Sequence, residues 1–494
     1  MKNIINIPSL RILCATVVLS LIMVGCGKDD PENEGNHIPD VNILQNNKSV
    51  NLGTKVELTS TAIDVDEDDL TYKWSFSSKP SGSSATLTTD STKKTSFTTD
   101  KAGKYVVKFI AKDTLNAEGK DSVTITAKDT SAITNICNSY TDIKGTYSTD
   151  KTLNGCFKVV GDINVNNDAL LTIKEGSTLV FAKGTKLTIS ETGGLKAIGT
   201  GDKPIIFTAE QKTAGYWKGI NFYYSNNVKN ELAHIIIEYG GGGSNWYGNL
   251  HLDSSNDSPV RLKIRDSIFR NGLKHGFYFK ASSIISEFKN ITSTKNKETA
   301  GAIPAHLLDI IDSDSKFTGN NGDDYITVFG GGVYEDTTWN KLTVPVLVTR
   351  DIDINKFLTI NAGSKFIFKK GTKLTVKAEG ALKAVGTAKK QILFTGIQKT
   401  AGYWKGINFY YSIDTRNKLD HITIEYAGGG SNWYGSLHLD SSSDSPVRIN
   451  VTNSTFRHSS KHGIWINTHS IVNNDIKTSN IFADNALSDI GRSN

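Results

Sequence analysis

Proline is scarce, nine of 494 residues, and no charge of one sign accumulates: 56 Lys and Arg face 50 Asp and Glu, a net of +6. With charged residues at 21 % and 44 glycines, the composition excludes collagen and a fully disordered chain. Divided along the chain, the charge is +2 over 1–26, −3 over 27–128 and +7 over 129–494, and no segment has the density of a nucleic-acid binder. No nucleic-acid partner is expected. The uncharged run Ile12 to Val24 has thirteen residues, too few to span a bilayer as a helix. The chain also lacks a phosphate loop, a nucleophile elbow and a His-Glu-x-x-His zinc motif. At roughly 150 residues per domain, the length allows two or more folded units.

What is present begins with a targeting segment. Lys2 and Arg11 precede the uncharged run, the pattern of a signal peptide over 1–25. The run closes on Met23-Val24-Gly25-Cys26, which resembles the bacterial lipobox. That resemblance implies lipid on Cys26 and a membrane partner through the anchor. Gly27-Lys28-Asp29-Asp30 is similar to the surface-export tag of Bacteroidota-type lipoproteins, which implies an outer-membrane, cell-surface location. Several acyl chains, each CH₂ worth about 0.8 kcal/mol when buried, anchor stably. Residues 26–38 are acidic and polar and read as a tether. Cys14 leaves with the signal and Cys26 takes lipid, so Cys137 and Cys156 are expected to pair in an oxidising compartment.

Over 39–128, short runs of period two recur between turn residues, among them Lys55 to Thr59, Leu70 to Trp74 and Tyr105 to Ile110. This is the pattern of a β-sandwich, with Trp74 its central packing residue. The stretch Ala62 to Trp74, with Pro80-Ser81-Gly82-Ser83, Gly103-Lys104-Tyr105 and Ala111-Lys112-Asp113, resembles a PKD or immunoglobulin-like module. Such modules serve as spacers or adhesion units in surface proteins. Asp64, Asp66, Asp68 and Asp69 could hold calcium as hard oxygen ligands, with a solvated acidic turn as the alternative. No other cofactor is required.

The rest of the chain is duplicated. Ala214 to Gly219 returns as Ala401 to Gly406, and 207–280 aligned on 394–467 gives 49 identities in 74 at an offset of 187. Each copy contains short strands, such as Lys186-Leu187-Thr188-Ile189 and Ile220-Asn221-Phe222-Tyr223, that cannot close a core singly. Stacked in parallel they can, and two-residue Asn-Gly or Asp-Gly hairpin turns are scarce. The signatures Leu171 to Ser177, Leu195 to Thr200, Trp217 to Ile220 and Ser267 to Asn271 resemble bacterial right-handed parallel β-helix proteins, whose architecture is shared with pectate-lyase-like enzymes. The fold expected is thus all-β: a sandwich over 39–128, a solenoid cap over 129–156, β-helix copy 1 over 157–343 and copy 2 over 344–494. Each repeat unit should hold about eight coils, both copies should present equivalent faces, and Ile481 to Asn494 should form a lid.

For chemistry, Gly240 to Gly243 leads into Asn245, Trp246 and Tyr247, copied as Gly428 to Gly430 with Asn432, Trp433 and Tyr434. Glycines before adjacent aromatics suggest a flexible exposed loop whose rings stack on sugar. Tyr216-Trp217 and Tyr403-Trp404 form a second candidate pair, with packing between coils as the competing reading. His251, Asp253, Asp257, Arg261 and His275 recur as well, and near-coil spacing from His234 could stack the imidazoles into a metal-binding ladder. The tight acidic pair Asp323-Asp324 and the faintly polygalacturonase-like Lys274-His275-Gly276 are the only catalytic hints. The sequence therefore favours a surface lipoprotein that binds polysaccharide or adheres without catalysis. A structural role with a surface-protein partner, and a lyase or hydrolase of acidic glycans, are the alternatives.

Overall fold

A computed structural model describes residues 36–128, 137–320 and 322–493. The signal segment, Cys26 and the tether up to residue 35 lie outside the described residues. No helix among the described residues is long and apolar enough to cross a membrane. The chain divides into two units, the first of which ends at Ile125.

In the first unit, alternation produces a two-sided strand. Along Lys55–Ile63, Val56 and Leu58 point inward while Lys55 and Glu57 face solvent. Asp40–Ile43, Lys55–Ile63 and Lys94–Thr98 form one sheet; Lys48–Asn51, Glu118–Lys128, Gly103–Lys112 and Thr71–Ser78 form the other. Trp74 is 1 % exposed, packs on Phe109 with ring centroids 4.6 Å apart and donates its indole N–H to the Thr92 carbonyl at 2.8 Å. This is the PKD-like sandwich with the expected tryptophan at its centre.

The second unit is a parallel β-helix. Three strands make one coil, for example Thr178–Phe181, Lys186–Ser190 and Gly194–Ile198, and each pairs in parallel with its counterpart a coil later. These three positions define the first, second and third faces. Alternate side chains point inward and stack, as in Leu187, Ile220, Leu250 and Phe277, all at 0 % exposure. Each such side chain contributes roughly 1.5–3 kcal/mol of burial, so the stack replaces a globular core. Cys137 and Cys156 are bonded, and Cys156 opens the strand Cys156–Val165 on which the first coil's Thr141–Tyr147 lies.

Several expectations are corrected here. Ile481–Ala483 and Ile490–Arg492 are not a lid but strands of a further coil, paired in parallel with Thr455–Arg457 and His462–Ile466. Thr141–Tyr147 and Lys151–Leu153, placed in a cap by the sequence, already pair as coil strands. The repeat is also not eight coils long. Following the second face from Leu187, the column runs Ile220, Leu250, Phe277, Gly301, Ile326, Val346 and Phe366. Phe366 lies in Lys365–Phe368, the counterpart at offset 187 of the first-face strand Thr178–Phe181. Seven coils plus one face therefore separate equivalent residues, and the two copies do not present equivalent faces outward. The change of phase falls where the 3₁₀ helix Ala305–Ile310 occupies the third-face position and buries Ala305, Leu307 and Leu308. After it, the strand Val346–Val348 stacks on Ile326–Val328, and the second copy starts its cycle on the column that was the second face.

Candidate functional site

The outer surface of the second face carries a cleft of about 800 Å³. Strand alternation places its floor: because Leu187, Ile220, Leu250 and Phe277 point inward, Thr188, Asn221, His251 and Tyr278 form an outward column one residue along. A second outward column, Ser190, Tyr223 and Asp253, runs beside it. Lys280, Asn245, Trp246 and Tyr247 complete the rim, with Asp162 and Lys186 toward the first coils.

The loop holding Trp246 and Tyr247 is not loose. The amides of Gly241 and Gly242 donate to the carbonyls of Lys218 and Trp217, each at 3.0 Å, and Gly240 N–H donates to the Asn249 side chain at 2.8 Å. A Cβ on Gly242 would lie 2.3 Å from the Gly215 carbonyl, so glycine is required by close approach rather than by flexibility. The second copy repeats the docking through Gly428 and Gly429 on Lys405 and Trp404. Gly243 to Asn245 and Gly430 to Asn432 are exposed, as are Tyr247 at 39 % and Tyr434 at 42 %, whereas Trp246 is half-buried and Trp433, 7 % exposed, is packed into the core, which corrects the expectation that its ring stacks on sugar.

The two aromatic motifs thus form one assembly. Trp217 and Trp404 are fully buried, stack on Phe181 and Phe368 at 3.9 and 4.0 Å, and donate their indole N–H groups to the Glu238 and Glu425 carbonyls. They cannot stack on a sugar. Tyr216 and Tyr403 are half-buried and lie outside the cleft lining. The expectation of a second binding pair is corrected: Tyr-Trp-Lys is the bed on which the Gly-rich loop rests.

Within the cleft the rings gather around one imidazole. Trp246, Tyr247 and Tyr278 stand edge-on to His251 with centroids 6.0, 5.5 and 5.1 Å away. In the second copy, Trp433 and Tyr434 surround His438 at 5.3 and 5.6 Å, with Trp465 packed on Tyr434. Lys274 and Lys461 place their ammonium groups 5.0 and 5.4 Å from the Tyr247 and Tyr434 rings. Tyr223, 44 % exposed, also lines the cleft, and its copy Tyr410 is equally exposed.

Beneath these rings the polar column is under-satisfied. His251 is 1 % exposed, yet neither ring nitrogen has a hydrogen-bond partner, and Asn221 Oδ1 and Thr188 Oγ1 are likewise buried and unpaired. The second copy repeats this at His438 Nδ1, Asn408 Oδ1 and Thr375 Oγ1, and adds Trp433 Nε1. Each such group costs about 1–3 kcal/mol when left unmade, and the same cost in both copies marks positions where an incoming hydroxyl would find a waiting partner. Burial pushes the His251 pKa down to about 4, so it is neutral at pH 7 and offers one donor and one acceptor.

Asp253 fixes the wall charge. It accepts from Asn221 at 3.2 Å and meets Lys280 at 2.5 Å; burial opposes the Lys280 charge, but the Asp253 hydrogen bond and charge outweigh it and raise its pKa. In the second copy Asn467 stands where Lys280 does, and Asp440 is met by Asn408 at 3.0 Å and His438 at 3.2 Å.

Other sequence candidates are placed elsewhere. His234, His251 and His275 do not stack: His251 pairs with Asn221 and Tyr278, while His275 pairs with Gly248 and contacts Thr299 and Glu298. Strand register sets the column, and the spacings of 17 and 24 residues do not match it. Asp324 accepts the Asn320 amide at 2.9 Å, a turn role. In the sandwich, ligand atoms of Asp64, Asp66 and Asp68 lie within 4.8 Å of one another, whereas Asp69 is outside the group. Sequence reading missed Thr188, Asn221, Tyr223, Tyr278 and Lys280, although the copied Asn221-Phe222-Tyr223 and Asn408-Phe409-Tyr410 already held the signal.

Residues 45–127 match a family model described as a PKD domain, and residues 145–250 match the one described as Pectate-lyase like beta helix domain. Among solved structures, the chain is similar to the PKD domain from KIAA 1837 protein and to that of human KIAA0319. Each is 20 % identical with a TM-score of 0.17 over 21 % of this chain, covering 97 % and 92 % of those chains. No curated protein matches.

Replacing His251 by Phe, which keeps the ring and removes the orphaned nitrogens, should raise the melting temperature of the unliganded protein by a few degrees, reflecting about 1–3 kcal/mol. Because the native pKa is lowered from 6.5 to about 4, the wild-type histidine loses stability for the fold as pH falls through that window. Calorimetry at several pH values should show that part of the acid loss vanish in the variant. A lower melting temperature at pH 7 and an unchanged acid slope would contradict this account.

Proposed function

We propose that the protein is a lipid-anchored cell-surface lipoprotein that binds neutral polysaccharide without catalysis. A PKD module joined to a pectate-lyase-like β-helix fits a surface or adhesion protein. The finer reading rests on one observation, the buried, unpaired polar column under a partly exposed aromatic wall in the cleft, whose polar residues recur unpaired in the second copy. Aromatic faces accept the C–H side of a pyranose, and unpaired Thr, Asn and His groups accept and donate to its hydroxyls. The charged residues lining the cleft, Asp162 and Asp253 against Lys186 and Lys280, balance, which favours an uncharged sugar. In this reading lipid on Cys26 holds the chain to the outer membrane and the PKD module acts as a spacer. Palmitate labelling that persists in a Cys26→Ala protein would refute the anchor.

Calcium in the sandwich has support of its own, since Asp64 Oδ2 is buried without a hydrogen-bond partner among the clustered carboxylates. Added Ca²⁺ should raise the melting temperature of the wild type and leave Asp64→Asn unmoved; equal behaviour of the two would dismiss the metal.

On a glycan array, Tyr247→Ala with Tyr434→Ala should lose at least tenfold in apparent affinity, because the exposed ring of each loop is removed. Unchanged binding by that double variant, at unchanged circular dichroism, would overturn the cleft as the binding site.

A further inference from the structure

We infer that the cleft is one half of a longer groove: a single glycan chain runs on from it past Tyr278 into a further site at the junction of the two copies, formed around Tyr334, Arg350 and Asp309. This rests on the glycan-binding reading of the cleft and adds to it where the polymer goes and how much of it is bound. Two cavities of about 890 and about 480 Å³ lie at the junction, and Asn256, Ala281, His306 and Tyr334 line both. The 3₁₀ helix Ala305–Ile310, at which the coils change phase, helps to build them, since it carries His306 and Asp309.

Strand register gives the path. The outward column of the cleft, which runs from Asn164 to Tyr278, continues as Ala302, Thr327 and Leu347. These last three are 1 %, 8 % and 7 % exposed, so the face itself is closed beyond Tyr278. The opening moves to the edge of the face. There the Tyr278 ring stacks on Phe329 with centroids 5.3 Å apart, and Phe329 lines the larger junction cavity. Lys280, on the rim of the cleft, is followed directly by Ala281, which lines both junction cavities. Cleft and junction thus share a ring pair and a turn of chain as their common wall. Seven coil steps lead from Asn164 to Leu347, about 34 Å at roughly 4.8 Å each, and Arg350 follows shortly after Leu347.

The junction repeats the make-up of the cleft, an open ring beside polar groups without partners. Tyr334 is 65 % exposed, and a Cβ on Gly332 would strike its ring, so the glycine lets that ring lie across the backbone. Asp309 accepts from Thr337 at 2.6 Å through Oδ2, while its Oδ1 is buried with no hydrogen-bond partner. Arg350 is exposed in the larger cavity, and its guanidinium makes no hydrogen bond or ion pair among the described residues. An orphaned acceptor, free donors and an open ring suit the hydroxyls and the C–H face of a pyranose. Asp309, Glu335 and Asp351 outnumber Arg350, so the junction, like the cleft, favours an uncharged sugar.

The test uses the full-length Cys26→Ala chain and calorimetry with the trisaccharide and the decasaccharide of three neutral glycans, β-1,3-glucan, β-mannan and xylan. For a glycan that binds, one decasaccharide should bind per chain, at least tenfold more tightly than the trisaccharide. Tyr334→Ala, and independently Arg350→Ala, should remove most of that gain and leave trisaccharide affinity within about twofold. Tyr247→Ala should weaken both lengths. Decasaccharides that bind no tighter than trisaccharides, or a gain that survives both junction variants at unchanged circular dichroism, would overturn the extended groove and leave the cleft as a glycan site. Two decasaccharides per chain would overturn it too, by showing separate sites. Absence of binding by the wild type to all three glycans would strike the reading of the cleft itself, and the inference with it.

Discussion

The parallel backbone ladder between successive coils is the constraint from which the rest follows. A three- to six-residue strand has no stability of its own; it exists because its amides and carbonyls pair with the coil before and the coil after. That pairing fixes which side chains face in and which face out, and it leaves no freedom in the angle at which a later coil presents its loops. Leu187 and Ile189 point inward, and therefore Thr188 must face out. The candidate site is a by-product of this rule: inward apolar stacks dictate an outward stack of Thr188, Asn221 and His251 in line.

The same rule explains why the site is unfinished in the protein alone. An outward polar stack in the open would be hydrated at little cost. Here the Gly-rich loop, docked on the Tyr-Trp-Lys turn, and the rings of Trp246, Tyr247 and Tyr278 enclose it, so burial strips water from groups that find no protein partner. Stability is lost in pre-organising polar atoms beneath an apolar wall, an arrangement that ordinary packing would remove.

Much of this was legible in the sequence. Period two in Lys55 to Ile63, the Trp74 core, the 187-residue offset and the Asn245-Trp246-Tyr247 loop all pointed to elements now seen. What could not be read was phase. An offset counts residues, while coils vary in length, and the 3₁₀ helix at Ala305–Ile310 leaves no periodic trace. Trp217 was ambiguous for a related reason: a tryptophan in a turn reads the same whether its ring roofs a coil or meets solvent, and only Phe181 beneath it decides. Thr188 and Asn221 were invisible as a site because every half-buried strand alternates polar with apolar.

The central claim is that the second copy is wound one face out of phase, and a disulfide trap tests it most directly. In Thr327→Cys with Leu347→Cys the two positions are paired neighbours on consecutive coils, within reach of a disulfide. Lys316→Cys with Leu347→Cys joins the column of Thr292, where Leu347 would lie if the copies were in phase. The account predicts that mild oxidation bridges the first pair and not the second, read as loss of two hydrogens by mass spectrometry of the linked peptides. Bridging of Lys316→Cys to Leu347→Cys, with Thr327→Cys left free, would contradict it.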